Sequence, residues 1–199
     1  DRLRKESSQI RVTHQLRNGH SDAVRRGLES AKGKYILVLD ANGRFEPCDL
    51  ERLWAEKSMN RLVIGTRTHR LDTVPRRIMN NLLSHWAKFL FKSELSDGNI
   101  SFRLMEKNTA LKYARALPQG LQSFNLLLAL IIKKEIPSLV KEVKIPYRKR
   151  KLGKSSTSFS KFFSLHLTYA KELFYVRLSR KKILLLAENS HLLKPLKAN

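Results

Sequence analysis

An apolar run, Tyr35 to Leu39, ends on a single carboxylate, Asp40, and the chain continues through Ala41, Asn42, Gly43 and Arg44. Asp40 and Asn42 offer the hard oxygen ligands that Mg²⁺ or Mn²⁺ takes, but the Asn42 amide brings no charge, so a metal held here is held weakly. Arg44 adds a planar fork that can grip a diphosphate bidentately. Farther on, Arg67, Arg70, Arg76 and Arg77 precede or open a helical pattern that carries Asn80 and Asn81. Guanidinium groups with amide donors beside them are anion-binding chemistry. Asp97 and Arg103, six residues apart, are a further acid and guanidinium to be placed. The same residues also admit plainer roles. Asp40 can serve as an acceptor for its own loop, the arginines as solvated surface charge, and Asp97 with Arg103 as a buried pair that holds a loop.

Other chemistries lack residues. The six histidines, His14, His20, His69, His85, His166 and His191, show no metal-ligand spacing, no Walker-type glycine loop occurs, and Cys48 has no histidine partner. Hydrolase and NTPase readings therefore have nothing to stand on. A single cysteine excludes an intrachain disulfide and any cysteine-based metal cluster, and suits a reducing compartment. Forty Lys and Arg against 17 Asp and Glu give a net charge of +23, on a chain whose 42% hydrophobic share suits a folded globule. Such a balance calls for an anionic partner: a phosphate-rich ligand, an acidic membrane or nucleic acid. The longest uninterrupted apolar run, Leu126 to Ile132, is far short of the roughly 20 residues that span a bilayer, so a membrane would be met at its surface. Residues 1–8 are polar but for Leu3 and there is no initiator Met, so we expect no signal peptide here and a start inside a longer protein.

The elements that must position these residues follow from periodicity. Residues 10–14 alternate like a short strand, and 21–32 read as a helix capped by Ser21 or Asp22 with Gly33 past its end. Tyr35 to Leu39 is apolar at every position, which predicts a parallel strand covered on both faces. A helix after Pro47 and a second buried strand, Leu62 to Gly65, complete β-α-β order, and a right-handed crossover places the two strands in one parallel sheet. After Pro75, Ile78, Leu82, Trp86 and Leu90 recur as one stripe of a long helix. A strand at 99–105, helices KNTALKYARAL and SFNLLLALIIKKE, a strand within SLVKEVKIPYRKR, a basic loop and a basic amphipathic helix from Phe159 to Lys182 follow. The expected architecture is an α/β domain over 1–157 with a basic helical extension over 158–199.

Four stretches in this order carry a resemblance: RNGHSDAVRRGLESAKGKYILVLDAN, LVIGTR, LSDGNISFRLM and VKIPYRKRKLGKSS. They resemble the glycine- and arginine-containing helix leading to a D-x-D strand, the strand ending G-S-R, the R-D-x-x-S-G-F-R-x-F segment and the V-P-V-x-Y-x-x-R-x-x-G-x-S-K segment of family 2 glycosyltransferases. The likeness is to the branch that moves sugars onto dolichyl or other polyprenyl phosphates. The resemblance implies a GT-A fold, Rossmann-like with a mostly parallel sheet. Members of that family open with a strand and a Pro-x-Tyr-Asn-Glu loop holding the base, then a second strand ending Asp-Asp or Asp-Gly, and this chain starts after both. The expected fold therefore lacks those first strands.

The resemblance also implies roles. Asp40 would contact ribose or metal, Asn42 and Arg44 the diphosphate, with Arg44 at the position of a family Gln and Asn42 at that of the second acid. Arg67, Arg76, Arg77, Asn80 and Arg103 would bind the acceptor phosphate, and Asp97 would help to orient the acceptor. Arg148, Lys149, Arg150, Lys151 and Lys154 would form a basic acceptor loop ahead of helices lying at the membrane face. The implied activity is inverting transfer of a sugar from a nucleotide diphosphate sugar to a polyprenyl phosphate, by a protein peripheral to the cytoplasmic face of a membrane. A second reading stays open: a degenerate GT-A domain that has lost catalysis and serves as a structural or RNA-binding subunit of a larger assembly.

Overall fold

The computed structural model describes residues 7–14, 19–40, 45–68, 74–93, 95–96, 98–146, 148 and 159–189, with backbone alone at 76, 159 and 160. In chain order the elements are α1 (His20–Ser30), β1 (Tyr35–Val38), α2 (Pro47–Ala55), β2 (Leu62–Arg67), α3 (Val74–Phe91), β3 (Arg103–Glu106), α4 (Lys107–Ala116), α5 (Phe124–Glu135), a 3₁₀ turn (Pro137–Leu139), β4 (Val140–Ile145), α6 (Phe159–Leu178) and α7 (Arg180–Glu188). The four strands form one sheet in the order β1-β3-β2-β4. This is an α/β fold with a mixed sheet and flanking helices.

The crossover expectation holds in direction and fails in adjacency. β1 and β2 run the same way, but β3 is slotted antiparallel between them, pairing Val38 with Arg103 on one side and Ile64 with Arg103 on the other. Only β2 and β4 pair in parallel, from Leu62 opposite Val140 to Arg67 opposite Ile145. β1 is consequently an edge strand of this sheet: Ile36 alone is buried, and Leu39 beyond it is exposed, so the double cover expected of an all-apolar run is absent. β2, in the middle, is buried from Leu62 to Thr66. Residues 10–14 form no strand, and α1 starts at His20 behind Gly19, whose φ of 88° suits only glycine well, rather than behind Ser21 or Asp22. The long helix read from Phe159 to Lys182 is broken at Ser179 into α6 and α7.

α5 is apolar around its whole circumference and buried from Phe124 to Ile132, so it forms the middle of the core rather than one wall of it. Polar ties hold its neighbours to it. The Glu172 carboxylate of α6 accepts the backbone N–H groups of Gln122 and Ser123, each at 2.8 Å, and the Ser123 hydroxyl at 2.5 Å. An acid placed there satisfies orphan donors at the positive end of α5. Arg180 of α7 donates to Glu135 at the other end of α5, at 2.6 Å. Arg25 of α1 is buried and donates to the carbonyls of Ala114 and Pro118 beyond α4, with its guanidinium 4.4 Å from the Phe124 ring centroid. Burial pulls the Arg25 pKa below its ordinary value.

Arg103 requires a correction. Expected among the acceptor-phosphate ligands, it is fully buried, among the largest side chains in the core. Its guanidinium donates to the carbonyls of Ile100, Asn125 (2.7 Å) and Gly98 (3.2 Å). A phosphate cannot reach a group enclosed in this way. The pattern that resembles a ligand motif is, for this residue, a device that fixes the turn before β3 against α5.

Two outcomes test this packing by urea unfolding. Arg103→Ala should cost about 3 kcal/mol or more, because three carbonyls lose their donor inside the core. A near-neutral effect with weakened acceptor binding would return Arg103 to the site. At Gly65 of β2, an added Cβ would lie 2.6 Å from Phe102 Cδ1 and 2.9 Å from Ile145 Cδ1. Gly65→Ala should therefore destabilise by about 1–3 kcal/mol, the usual cost of overpacking, and an unchanged midpoint would show that the sheet yields there.

Candidate functional site

Because β1, β2 and β4 run one way and β3 the other, the C-terminal ends of the first three and the start of β3 share one edge of the sheet. In open α/β sheets this is where ligands bind. Asp40 sits half-buried just past β1, and Arg67 is the last residue of β2. The parallel ladder fixes Arg67 opposite Ile145, and beyond it the Thr68 N–H donates to the Ile145 carbonyl at 3.1 Å. Phe45, which follows the Asp40 loop, stacks on Phe102 with ring centroids 4.3 Å apart and so pins the far end of that loop beside the start of β3.

Arg67 heads a small cavity of about 50 Å³. Asn80 and Ser84 on the inner face of α3, Ser93 and Asn99 on the following loop, and Leu126 of α5 supply its walls. This is room for a few waters or one phosphate group, not for a nucleotide. Among the described residues its lining holds one guanidinium and no carboxylate, which is the chemistry of an anion site. The Ser93 hydroxyl is buried there with no hydrogen-bond partner among the described residues. A buried unpaired hydroxyl is costly, and a bound anion or water would satisfy it.

The loop that carries Ser93 and Asn99 is held at several points. The Ser96 N–H donates to Glu142 of β4 at 2.9 Å, Arg103 takes the Gly98 and Ile100 carbonyls, and a Cβ at Gly98 would meet Leu126 at 2.7 Å. The α3 wall is held by α6. His166 Nε2 lies 3.1 Å from the side-chain amide of Asn80, while Nδ1 contacts the Phe162 carbonyl at 2.9 Å. Burial lowers the His166 pKa from its ordinary value, only partly offset by the bond to Phe162.

Of the residues expected to act, Arg67 and Asn80 meet at this cavity. Arg77 is exposed on the outer side of α3. Arg148 turns back to pair with Asp49 and, at 3.1 Å, with Glu46, which ties the exit of β4 to the start of α2. There Asp49 is fully buried and its carboxylate also accepts the Glu46 N–H at 3.0 Å. Asn42, Arg44, Arg70, Asp97, Lys149, Arg150, Lys151, Lys154 and the side chain of Arg76 lie outside the described residues. Among the described residues no group of three His, Cys, Asp or Glu side chains converges on one point. Sequence reasoning missed Ser84, Ser93 and Asn99, because a serine or asparagine in a loop gives no signal until the fold closes a cavity around it. It also missed Glu172 and His166, whose roles need contacts between distant helices.

Comparison with known proteins places this geometry. The glycosyl transferase family 2 profile matches residues 1–116. A dolichyl-phosphate beta-glucosyltransferase of Dictyostelium discoideum is 27% identical, over 86% of this chain and 54% of its own. The chain thus spans about half the length of that relative. Among solved structures, glucosyl-3-phosphoglycerate synthase of Mycobacterium tuberculosis with phosphoglyceric acid superposes with a TM-score of 0.59 at 12% identity, covering 84% of this chain and 57% of that one. The same enzyme has been solved with Mn²⁺, uridine-diphosphate-glucose and phosphoglyceric acid, at a TM-score of 0.55 with the same identity and coverage. Mannosyl-3-phosphoglycerate synthase of Rubrobacter xylanophilus gives 0.52 at 12% identity, over 91% and 55%. At these identities the structures speak for the fold, which is the GT-A arrangement with its mixed sheet. The strand-end carboxylate, the arginine closing β2 and the match over more than half of the sequence together make the chain a member of glycosyl transferase family 2.

Proposed function

We propose that the chain carries the acceptor side, and the ribose- or metal-facing carboxylate, of a sugar transfer from a nucleotide diphosphate sugar to a polyprenyl-type lipid phosphate at the cytoplasmic face of a membrane. The observation that carries this reading is the phosphate-sized cavity headed by Arg67, with no acid among its described lining residues, at the same sheet edge as Asp40. The relative named for glucosyl transfer to dolichyl phosphate supports a lipid phosphate as acceptor and glucose as the first sugar to test. Arg67, Asn80 and Ser93 would hold the acceptor phosphate, and its oxygen would displace the nucleoside diphosphate at the anomeric carbon with inversion.

A divalent cation suits this site only in company. Asp40 supplies one carboxylate at the strand end, and Mg²⁺ or Mn²⁺ commonly takes one or two protein carboxylates with the substrate phosphates completing the shell. The residues therefore fit a cation that arrives with the nucleotide, held by Asp40 with weak help from the Asn42 amide, while Arg44 shares the diphosphate charge. The cation's contribution when bound is to offset charge on the departing diphosphate.

The alternative, a degenerate domain serving as a structural or RNA-binding subunit of a larger assembly, draws on the net charge of +23 and on the neutral Asn42. Phosphate of RNA would satisfy the charge but not the exposed apolar side chains of α3, Ile78, Leu82, Trp86 and Phe89, and for that reason the membrane reading stands ahead.

Transfer of glucose from UDP-glucose to a polyprenyl phosphate tests the proposal. Arg67→Ala should lower kcat/KM for the lipid about 10-fold to 100-fold, the worth of a charge-assisted bond, with UDP affinity nearly unchanged. Loss of UDP binding instead would move Arg67 to the nucleotide. Asn42→Asp should strengthen Mn²⁺-dependent nucleotide binding about tenfold, since a second carboxylate adds charge to the chelate. Unchanged affinity would take Asn42 out of the site.

A further inference from the structure

α6 turns two hydrogen-bonding side chains inward, one helical turn apart. His166 and Tyr169 are both buried, on a stripe that continues into the core through Leu173 and Val176. Each ends on a carboxamide that lines the Arg67 cavity: His166 on Asn80 of α3, and Tyr169 on the side chain of Asn99 in the loop before β3. The ring centroids of His166 and Tyr169 lie 5.9 Å apart, and those of His166 and Phe162 4.1 Å. Neither His166 nor Tyr169 is among the described residues that line the cavity. Both carboxamides of the cavity are thus held from behind by one helix.

Hydrogen-bond directions constrain what those carboxamides can offer. A phenol both donates and accepts, so Tyr169 holds Asn99 without dictating which end of its amide faces which way. Imidazole is stricter. Nδ1 of His166 is 2.9 Å from the Phe162 carbonyl and Nε2 is 3.1 Å from Oδ1 of Asn80, so both nitrogens face oxygen acceptors. Only the doubly protonated ring donates to both. A singly protonated ring leaves a nitrogen lone pair against an oxygen. The Phe162 carbonyl is fixed in the backbone of α6, whereas the Asn80 carboxamide can turn about its last torsion. Turning it spends one Asn80 N–H on Nε2 and releases the amide oxygen; with Oδ1 on the ring, both N–H bonds of that amide remain for other partners.

An oxyanion in the cavity distinguishes the two arrangements, because N–H groups attract it and a carboxamide oxygen repels it. It also brings negative charge toward the imidazolium. Burial opposes that second proton and holds the His166 pKa below its ordinary value. Among the described residues no acid is placed to do the anion's work. α3 contains none, Glu172 of α6 is engaged at the start of α5, and Glu142 of β4 accepts the Ser96 N–H. The groups that face the ring, Phe162, Tyr169 and Asn80, carry no charge. Arg67 at the cavity, and Arg77, Lys88, Lys161, Lys171 and Arg177 exposed on the two helices, are cations and oppose a further proton. His85, the other titratable group of α3, is exposed and bonded to the Asn81 carbonyl of its own helix.

We propose that His166 and Tyr169 are positioning residues of the anion site, and that an oxyanion and a proton enter together: the oxyanion on Arg67 and the N–H groups of Asn80 and Asn99, the proton from solvent on Nε2 of His166. It deepens the functional reading and rests on it for the Arg67 cavity as the acceptor-phosphate site. By linkage, an anion that raises the His166 pKa binds more tightly as pH falls through the anion-bound value, and its affinity levels off below the anion-free one.

Sulfate tests this, because its charge stays the same between pH 8 and pH 5 while that of phosphate does not. With the full chain in chloride at about 0.15 M to screen exposed lysines, calorimetry should show Arg67-dependent sulfate binding about tenfold tighter at pH 5 than at pH 8. In NMR titrations the imidazole signal that is missing from His166→Gln should titrate at higher pH in sulfate than in chloride, and Arg67→Ala should remove the difference. His166→Gln should bind sulfate equally at both pH values. Tyr169→Phe should weaken sulfate severalfold at both and keep the pH dependence. If His166→Gln does not fold, the titrations of the unmodified chain and of Arg67→Ala still decide. Arg67-dependent binding of equal strength at pH 5 and pH 8, or a pH dependence that survives in His166→Gln, would overturn the proposal and leave the functional reading standing. Sulfate binding indifferent to Arg67→Ala would mean an adventitious ion only, and would overturn it too, as would no binding at any pH. Sulfate binding coupled to His166 without any sugar transfer would defeat the functional reading alone.

Discussion

The buried guanidinium of Arg103 is the constraint on which the working edge of this molecule depends. It stands at the first residue of β3, between β1 and β2, and spends its donors on carbonyls of the preceding turn and of α5. One side chain thereby sets three things together: where β3 enters the sheet, how the loop with Ser93 and Asn99 closes over the Arg67 cavity, and how close α5 comes to it. A buried charge is tolerated only when its hydrogen bonds are met, and here backbone carbonyls meet them. The same bonds keep Gly98 against Leu126, where no side chain would fit.

From that edge outward the fold is layered by polarity. Below α3 lies a small cavity with a single cation among its described lining residues, of a size for one phosphate, while Ile78, Leu82, Trp86 and Phe89 are exposed on the other side of the helix. Glu172, His166 and Arg177 are the contacts that make α6 part of this arrangement, since each fixes α6 to α5 or α3. The large positive charge of the chain is then not diffuse. Part of it is spent internally, as with Arg25, Arg103 and Arg148.

Much of the fold was legible in the sequence. The helices at Pro47, Lys107 and Phe124 and the strands at Leu62 and Val140 follow from period, caps and apolar runs, because these signals are local. The place of β3 was not legible: alternation marks a strand but not its neighbours, so a β-α-β order read as a parallel pair concealed an antiparallel strand between. α3 shows a second limit. Its hydrophobic stripe is real, but periodicity reports an apolar face without saying whether protein or lipid covers it. Of the residues that motif spacing singled out, Arg67 and Asn80 line one cavity, whereas Arg103 lies in the core, because a motif records that an arginine is needed and not what it holds.

The most direct measurement is a calorimetric titration of UDP-glucose into the protein with and without Mn²⁺, repeated with Asp40→Ala. The account predicts binding that Mn²⁺ strengthens and that Asp40→Ala abolishes, because Asp40 is the strand-end carboxylate through which cation and nucleotide would be held. Binding that ignores both Mn²⁺ and Asp40, or no binding of UDP-glucose or GDP-mannose at all, would contradict it and leave a family 2 fold without family 2 chemistry.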